Sequence, residues 1–149
     1  MRFSYQHISI QSPAVALGGR WVRPRPIIGV TIIGPTDSRL REGLLDTGSD
    51  DTVFAEHLAP TLGIDLSSAP IGTMQAANRT RACVRYAQVR LRLTDGVEQR
   101  EWPAWVGFTP APLNQPLLGF AGFLQFFTAT FHGDREQVEL MVNSLYPGT

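Results

Sequence analysis

Lysine is absent from this chain; all 13 of its basic residues are arginine. That removes every mechanism built on an ε-amine, including Schiff bases, Ser-Lys dyads and the phosphate-binding lysine of a P-loop. The patterns G-x-S-x-G and H-E-x-x-H are missing too, so neither a serine nucleophile elbow nor a paired-histidine zinc helix is available. A single cysteine, Cys83, excludes an internal disulfide and any multi-cysteine zinc site. His7, His57 and His132 stand far apart in the sequence, and neither a metal nor another cofactor is expected. No segment reaches the ~18 consecutive apolar residues of a membrane span. The opening stretch MRFSYQHISIQSPAVALGG lacks the continuous apolar core of a signal peptide. Thirteen acidic residues balance the arginines, so no net charge draws the chain to nucleic acid or to anionic lipid. The expectation is a cytoplasmic protein, partnered with neither nucleic acid nor membrane. Hydrolysis, if that is its activity, must come from carboxylates or from Cys83.

What is present reads as one domain over residues 1–149. The length suffices to bury roughly 70% of the unfolded surface, and 43% hydrophobic with 17% charged residues argues against disorder. Fourteen glycines and eleven prolines are spread along the chain, as expected for short strands joined by turns. Residues 1–20 read as an arm, with a strand over Phe3–Ile10 and Gly18-Gly19 loosening the chain behind it. Ile27–Ile33 is a β-branched run that predicts a buried strand, and Leu40–Leu45 predicts a second one. Val53-Phe54 follows as a short strand. Ala55–Leu62 has weak helical character, broken by Pro60 and closed by Gly63.

From Ile71 to Thr94 the apolar period-2 pattern changes phase near Tyr86-Ala87. Ala82 and Val84 are even-numbered, whereas Val89, Leu91 and Leu93 are odd. This predicts a long strand that bulges or changes its packing partner midway, its first half pairing with Ile71–Ala76 as a hairpin. Trp102–Phe108 predicts an aromatic strand, with Trp102 and Trp105 on opposite faces. Phe120–Phe127 predicts a short buried helix. Thr128–Phe131 and Gln137–Val142 predict a closing hairpin. The fold class is therefore all-β with one or two short helices.

The chemistry concentrates in Leu44-Leu45-Asp46-Thr47-Gly48-Ser49-Asp50-Asp51. A carboxylate stands between a leucine strand, which excludes water from one side, and a tight turn. Gly48 permits close approach of backbone or substrate, and the turn aims N–H groups at Asp46. A chance match to such a pattern in a chain this size is roughly one in a thousand.

These residues resemble the active-site motif of the aspartic proteases, in particular the retropepsin-like branch. Trp21-Val22-Arg23-Pro24, or Arg25-Pro26 followed by Ile27-Ile28, is similar to that family's Trp-x-Arg-Pro element. Leu117-Leu118-Gly119 is similar to its second Φ-Φ-Gly element. The resemblance covers roughly residues 21–142 and implies a closed retropepsin-like barrel with a flap-like hairpin over about residues 71–86. It implies an aspartic endopeptidase acting on peptide or unfolded protein, with Asp46 as the catalytic carboxylate. Thr47 would bond across a dimer axis, and Gly48 would offer its carbonyl to the substrate backbone. Ser49, Asp50 and Asp51 complete the turn, and Asp50 matches a position that contacts substrate and pairs with arginine. The family's arginine after Φ-Φ-Gly is replaced here by Phe120, which leaves Arg25 or Arg23 as the partner. The flap would comprise Met74, Gln75, Ala76, Ala77, Asn78 and Arg79.

This chemistry needs two aspartates sharing one proton, and D-T-G occurs once. A homodimer that brings two copies of Asp46 together on a twofold axis supplies the pair. By resemblance, Phe3–Ile10 and Gln137–Leu145 are the interface segments. If the Ser49 hydroxyl donates to Asp46, it favours the charged form and places the activity optimum on the acid side of neutrality.

Other readings stand beside this one. Cys83, between Arg81 and Arg85, with His57 as its base, is a second nucleophile candidate. Arg79, Arg81, Arg85, Arg90 and Arg92 read either as a nucleic-acid strip or as a solvated face, and the zero net charge favours the face. A catalytically weak or inactive peptide-binding module on the same fold is the alternative to an enzyme.

Overall fold

The computed structural model describes residues 1–75 and 79–149. The expected arm is itself built of strands. β1 (Arg2–Ser4) leads into β2 (Gln6–Ala14), which folds back on β3 (Arg20–Arg25) as a two-stranded ribbon. Gly18-Gly19 does not loosen the chain. It makes the reversal, with φ of 66° and 84° that a side chain would resist, and its N–H groups donate to the carbonyls of Val15 and Ala14. Glu136 anchors the ribbon: its carboxylate receives Arg20 at 2.6 Å and also His7, while its carbonyl accepts the Tyr5 N–H at 2.7 Å.

In β4 (Ile27–Ile33) every residue except Gly29 is β-branched, which suits a strand packed on both faces. It pairs antiparallel with β5 (Ser38–Leu45), from Ile27 opposite Leu44 to Ile33 opposite Ser38. Next come β6 (Val53–Ala55) and a single helical turn, α1 (Leu58–Thr61). Pro60 does not break α1 but lies within it, because N–H groups of a first turn have no intrahelical acceptor to lose. Gly63, at φ 73°, ends the segment as expected.

The remaining barrel strands are β7 (Ile71–Gln75), β8 (Arg81–Thr94), β9 (Gln99–Thr109) and β10 (Leu117–Leu118). The order β4-β5-β10-β6-β9-β8 closes on itself because β8 pairs back to β4, while β7 hangs on β8 outside the ring. The fold is all-β, and closure removes the exposed edges an open sheet would present. The phase change in β8 is a change of partner. Arg81–Arg85 pair with β7, and Arg90–Leu93 pair with β4. Val84 is accordingly buried in the first half, and Val89, Leu91 and Leu93 in the second.

The core fills the ring with Val30, Ile32, Phe54, Leu91, Leu93, Phe108 and Leu118. Trp102 is fully buried and makes edge contacts with Phe123 and Phe127, whereas Trp105 faces solvent. The Trp102 indole donates to the Gly122 carbonyl at 3.0 Å, so this aromatic group also holds the segment behind β10.

That segment corrects one expectation. Phe120–Phe127 is not a buried helix but a turn ending in a 3-10 stretch, Leu124–Phe126, with Phe120 exposed. Gly122 turns with φ of 87° and Phe123 follows at φ −132° and ψ −78°, which breaks the helical backbone, and the Phe120 and Ala121 N–H groups donate to the Ser49 and Asp50 carbonyls. β11 (Phe127–His132) and β12 (Gln137–Val142) form the expected closing hairpin. Within one chain β1 pairs with β12, Phe3 opposite Val138, so parts of the two segments expected at a subunit interface join with β11 in one sheet, while Gln6–Ile10 lie in β2. Among the described residues, no helix is long and apolar enough to cross a membrane.

Candidate active site

Asp46 follows directly on β5, and the path of the chain there is set by β10. Leu44 and Leu45 pair in parallel with Leu117 and Leu118, and the Asp46 N–H donates to the Leu118 carbonyl at 3.2 Å. Gly43 lets this pairing come close, since a Cβ there would meet the Leu118 side chain at 2.8 Å. The turn then closes on itself. The Gly48 N–H donates to Asp46 Oδ1 at 2.9 Å, and the Ser49 N–H to the Asp46 carbonyl at 3.2 Å. Backbone N–H bonds of this kind orient a carboxylate without neutralising it. The side chain of Asp46 is half-buried; Thr47, Gly48 and Asp50 are exposed.

Ser49 acts differently from the sequence expectation. Its hydroxyl donates to the main-chain carbonyl of Asp51 at 2.7 Å and not to Asp46. The turn curls so that its second half, not its carboxylate, lies within reach of that hydroxyl. Ser49 therefore gives no ground for an acid optimum.

The second half of the turn is gripped from behind. The N–H groups of Phe120 and Ala121 donate to Ser49 and Asp50, and Thr52 donates back to Ala121 at 3.0 Å. A Cβ on Gly119 would stand 2.2 Å from the Asp51 carbonyl oxygen, so only glycine fits there. The Φ-Φ-Gly element is thus a clamp on the Asp46 turn. Thr52, fully buried in this clamp, has a hydroxyl without a hydrogen-bond partner among the described residues.

A cleft of about 940 Å³ opens between the turn and the β7–β8 hairpin. Asp46, Gly48, Ser49, Asp50 and Asp51 form one wall, and Thr73, Met74, Gln75, Arg79 and Arg81 another. Leu113, Leu117 and Val53 add apolar surface; Val53 and Leu117 belong to the expected strand Val53-Phe54 and to Leu117-Leu118-Gly119, whereas no sequence motif marks Leu113. Of the expected flap residues, Met74, Gln75 and Arg79 therefore line the cleft with the turn. Ala76, Ala77 and Asn78 lie outside the described residues. Arg79 holds φ of 64°, an uncommon conformation for a residue with a side chain.

Tyr86 was legible only as the place where the strand pattern changes phase. Its hydroxyl donates to Asp51 Oδ2 at 2.6 Å, and burial, followed by the hydrogen bond to Asp51, pushes its pKa up to about 12. Arg23 and Arg25 lie on β3, and among the described residues neither forms an ion pair with Asp50.

The arginine strip divides. Arg90 and Arg92 both bind Glu101, at 2.7 and 2.8 Å, on the outer face of the barrel, whereas Arg79 and Arg81 face the cleft. Cys83 is exposed, and among the described residues its side chain has no recorded bond to His57. His7 and His132 are engaged with Glu136 and Glu139 at the surface. No group of three or more His, Cys, Asp or Glu among the described residues is placed to hold a metal ion.

A lone carboxylate turn, clamped from behind and facing a hairpin across a cleft, belongs to the acid-protease class of all-β folds. The chain is a member of the retropepsin-like aspartyl protease family. A family model described as aspartyl protease matches residues 30–121, from β4 through the clamp on the turn. No curated protein matches the chain. Membership supports a peptidase function.

Proposed function

We propose that the chain is an aspartic endopeptidase that cuts peptides or unfolded proteins as a homodimer. The observation that carries this reading is the half-buried Asp46, held by the Gly48 N–H at 2.9 Å and lining a cleft of about 940 Å³ beneath the β7–β8 hairpin. Each chain supplies one such turn. Two copies brought together across a twofold axis place two carboxylates within a few Å, where like charges cannot both ionise and one proton is shared. The ionised partner takes a proton from water as the oxygen attacks the scissile carbonyl, and the protonated partner donates to the carbonyl oxygen. Proton transfer to the leaving nitrogen then lets the C–N bond break.

The other residues follow from this arrangement. Thr47 and Gly48, exposed at the mouth of the turn, meet the second subunit and the substrate backbone. Asp50 receives its arginine, Arg25 or Arg23, across the dimer. The β7–β8 hairpin covers the peptide, and no cofactor takes part.

The test is digestion of a peptide mixture and of unfolded casein from pH 3 to 8, with Asp46→Asn in parallel and sedimentation at the assay concentration. Cleavage by the wild-type dimer and none by Asp46→Asn is expected. Absence of cleavage by a confirmed dimer would replace the enzyme by a peptide-binding module on the same fold. Equal cleavage by both proteins would refute the carboxylate mechanism.

A further inference from the structure

Tyr86 stands at the root of the hairpin, where β8 leaves β7 and enters the barrel. Its N–H donates to the Pro70 carbonyl at 2.9 Å, closing the backbone of that root. Its ring lies on Gly72, where a Cβ would meet the ring at 2.8 Å. A side chain at position 72 would displace the ring, so the strand opposite is cut to its shape. The hydroxyl then crosses to the catalytic turn and donates to Asp51 Oδ2 at 2.6 Å. Asp51 belongs to the clamp at its backbone and lines the cleft. Among the described residues nothing donates to its Oδ1.

We propose that Tyr86 is a positioning residue whose hydroxyl latches the root of the β7–β8 hairpin to Asp51, setting the height of the hairpin over the cleft and holding the Asp51 carboxylate turned towards substrate. Towards the tip β7 pairs with β8 alone, and past Arg85, the last residue of β8 paired with β9, the Thr109 hydroxyl holds the Cys83 carbonyl at 2.9 Å; Tyr86 adds the bond that ties the root to the turn. The latch is the side-chain bond recorded between that root and the turn. The phenol stays protonated, with its pKa near 12, so the donor persists over the whole range in which a peptidase works. The effect on substrate rests on the peptidase reading; the latch does not.

Tyr86→Phe removes the hydroxyl and keeps the ring on Gly72. Asp51→Ala breaks the same bond from the other side, so a folding failure of one leaves the other. Amide exchange is read in Ile71–Gln75, Arg81–Arg85 and, as reference, β4, for both variants and the double variant. Exchange in the hairpin is expected to rise about fivefold in each single variant, the worth of one hydrogen bond at the lower end. The double variant adds nothing further, and β4 is unchanged. With fluorescein-labelled casein, Tyr86→Phe raises KM about fivefold and leaves kcat within twofold, a split that general loosening of the fold would not produce. Unchanged hairpin exchange in Tyr86→Phe, or losses that multiply in the double variant, overturns the latch. Altered exchange with an unchanged KM in a cleaving enzyme overturns the positioning role. A wild type that cleaves nothing, with the exchange pattern as expected, sinks the peptidase reading and leaves the latch standing.

Discussion

Gly119 lies so close to the main-chain carbonyl of Asp51 that a Cβ on it would stand 2.2 Å from that oxygen. The Ser49 carbonyl oxygen stands 2.7 Å from the same point. Neither atom belongs to a flexible side chain, so any substitution must move the turn that carries Asp46. Gly119→Ala is expected to cost about 3 kcal/mol. It should abolish cleavage even at temperatures where the variant stays folded. Chemical denaturation checks the first effect and casein digestion the second.

Ser49→Ala removes a hydroxyl that donates to the Asp51 carbonyl. The expected loss is about 1 kcal/mol of stability, the ordinary worth of a neutral hydrogen bond. Since the hydroxyl does not touch Asp46, the acid limb of the pH–activity profile should not move. A displaced acid limb would show that Ser49 turns to the carboxylate in the working enzyme.

Thr52 is fully buried, and its hydroxyl has no partner among the described residues. Valine has nearly the same shape and no group to leave unsatisfied. Thr52→Val should therefore raise stability by about 1 kcal/mol. A drop in the denaturation midpoint would contradict this account of the clamp.

Acid weakens the fold through the β8–β9 turn. The Asp95 carboxylate accepts the N–H groups of Glu98 at 2.8 Å, Val97 at 3.0 Å and Arg2 at 3.0 Å, which holds its pKa down to about 2. In the unfolded chain the value is about 3.9. A carboxylate depressed on folding contributes stability above the unfolded value and loses it as pH falls through the folded one. The loss from Asp95 thus falls between about pH 4 and pH 2. Glu101 is lowered chiefly by its hydrogen bond from Arg90, Glu136 by that from Arg20 and Glu139 by that from Arg2, all with the same sign. Melting curves from pH 6 to 2 should fall less steeply for Asp95→Asn than for the wild type, because the amide keeps an acceptor and loses the titration.

Much of this site could be read before the structure. Asp46-Thr47-Gly48 and Leu117-Leu118-Gly119 are contiguous patterns, marked by their resemblance to aspartic-protease elements, and each stands where a turn needs glycine or a strand needs leucine. The partner change in β8 was legible as well, since a strand buried on first one face and then the other must show its phase in sequence. Ser49 and Tyr86 were not legible. The direction of a hydroxyl depends on how the turn curls, and the reach of Tyr86 to Asp51 spans 35 positions that pairing alone brings together. The helix expected at Phe120–Phe127 failed for a related reason. Apolar density marks burial, but it does not report that the backbone at Gly122 and Phe123 leaves the helical region where the segment grips the Asp46 turn.

The sequence by itself determined the all-β class, because periodicity and β-branching act within a few residues, and its Asp46-Thr47-Gly48 motif marked the turn through its resemblance to the aspartic proteases. Only the tertiary structure decided which groups satisfy each other around that turn. Pairing of Tyr86 with Gly107 on β9, whose N–H donates to the Thr52 carbonyl, brings the hairpin root beside the turn, and β10 brings Gly119 against Asp51. Hydrogen bonds between such distant segments carry no local signature, since any polar side chain of suitable length serves once the barrel has set the distance.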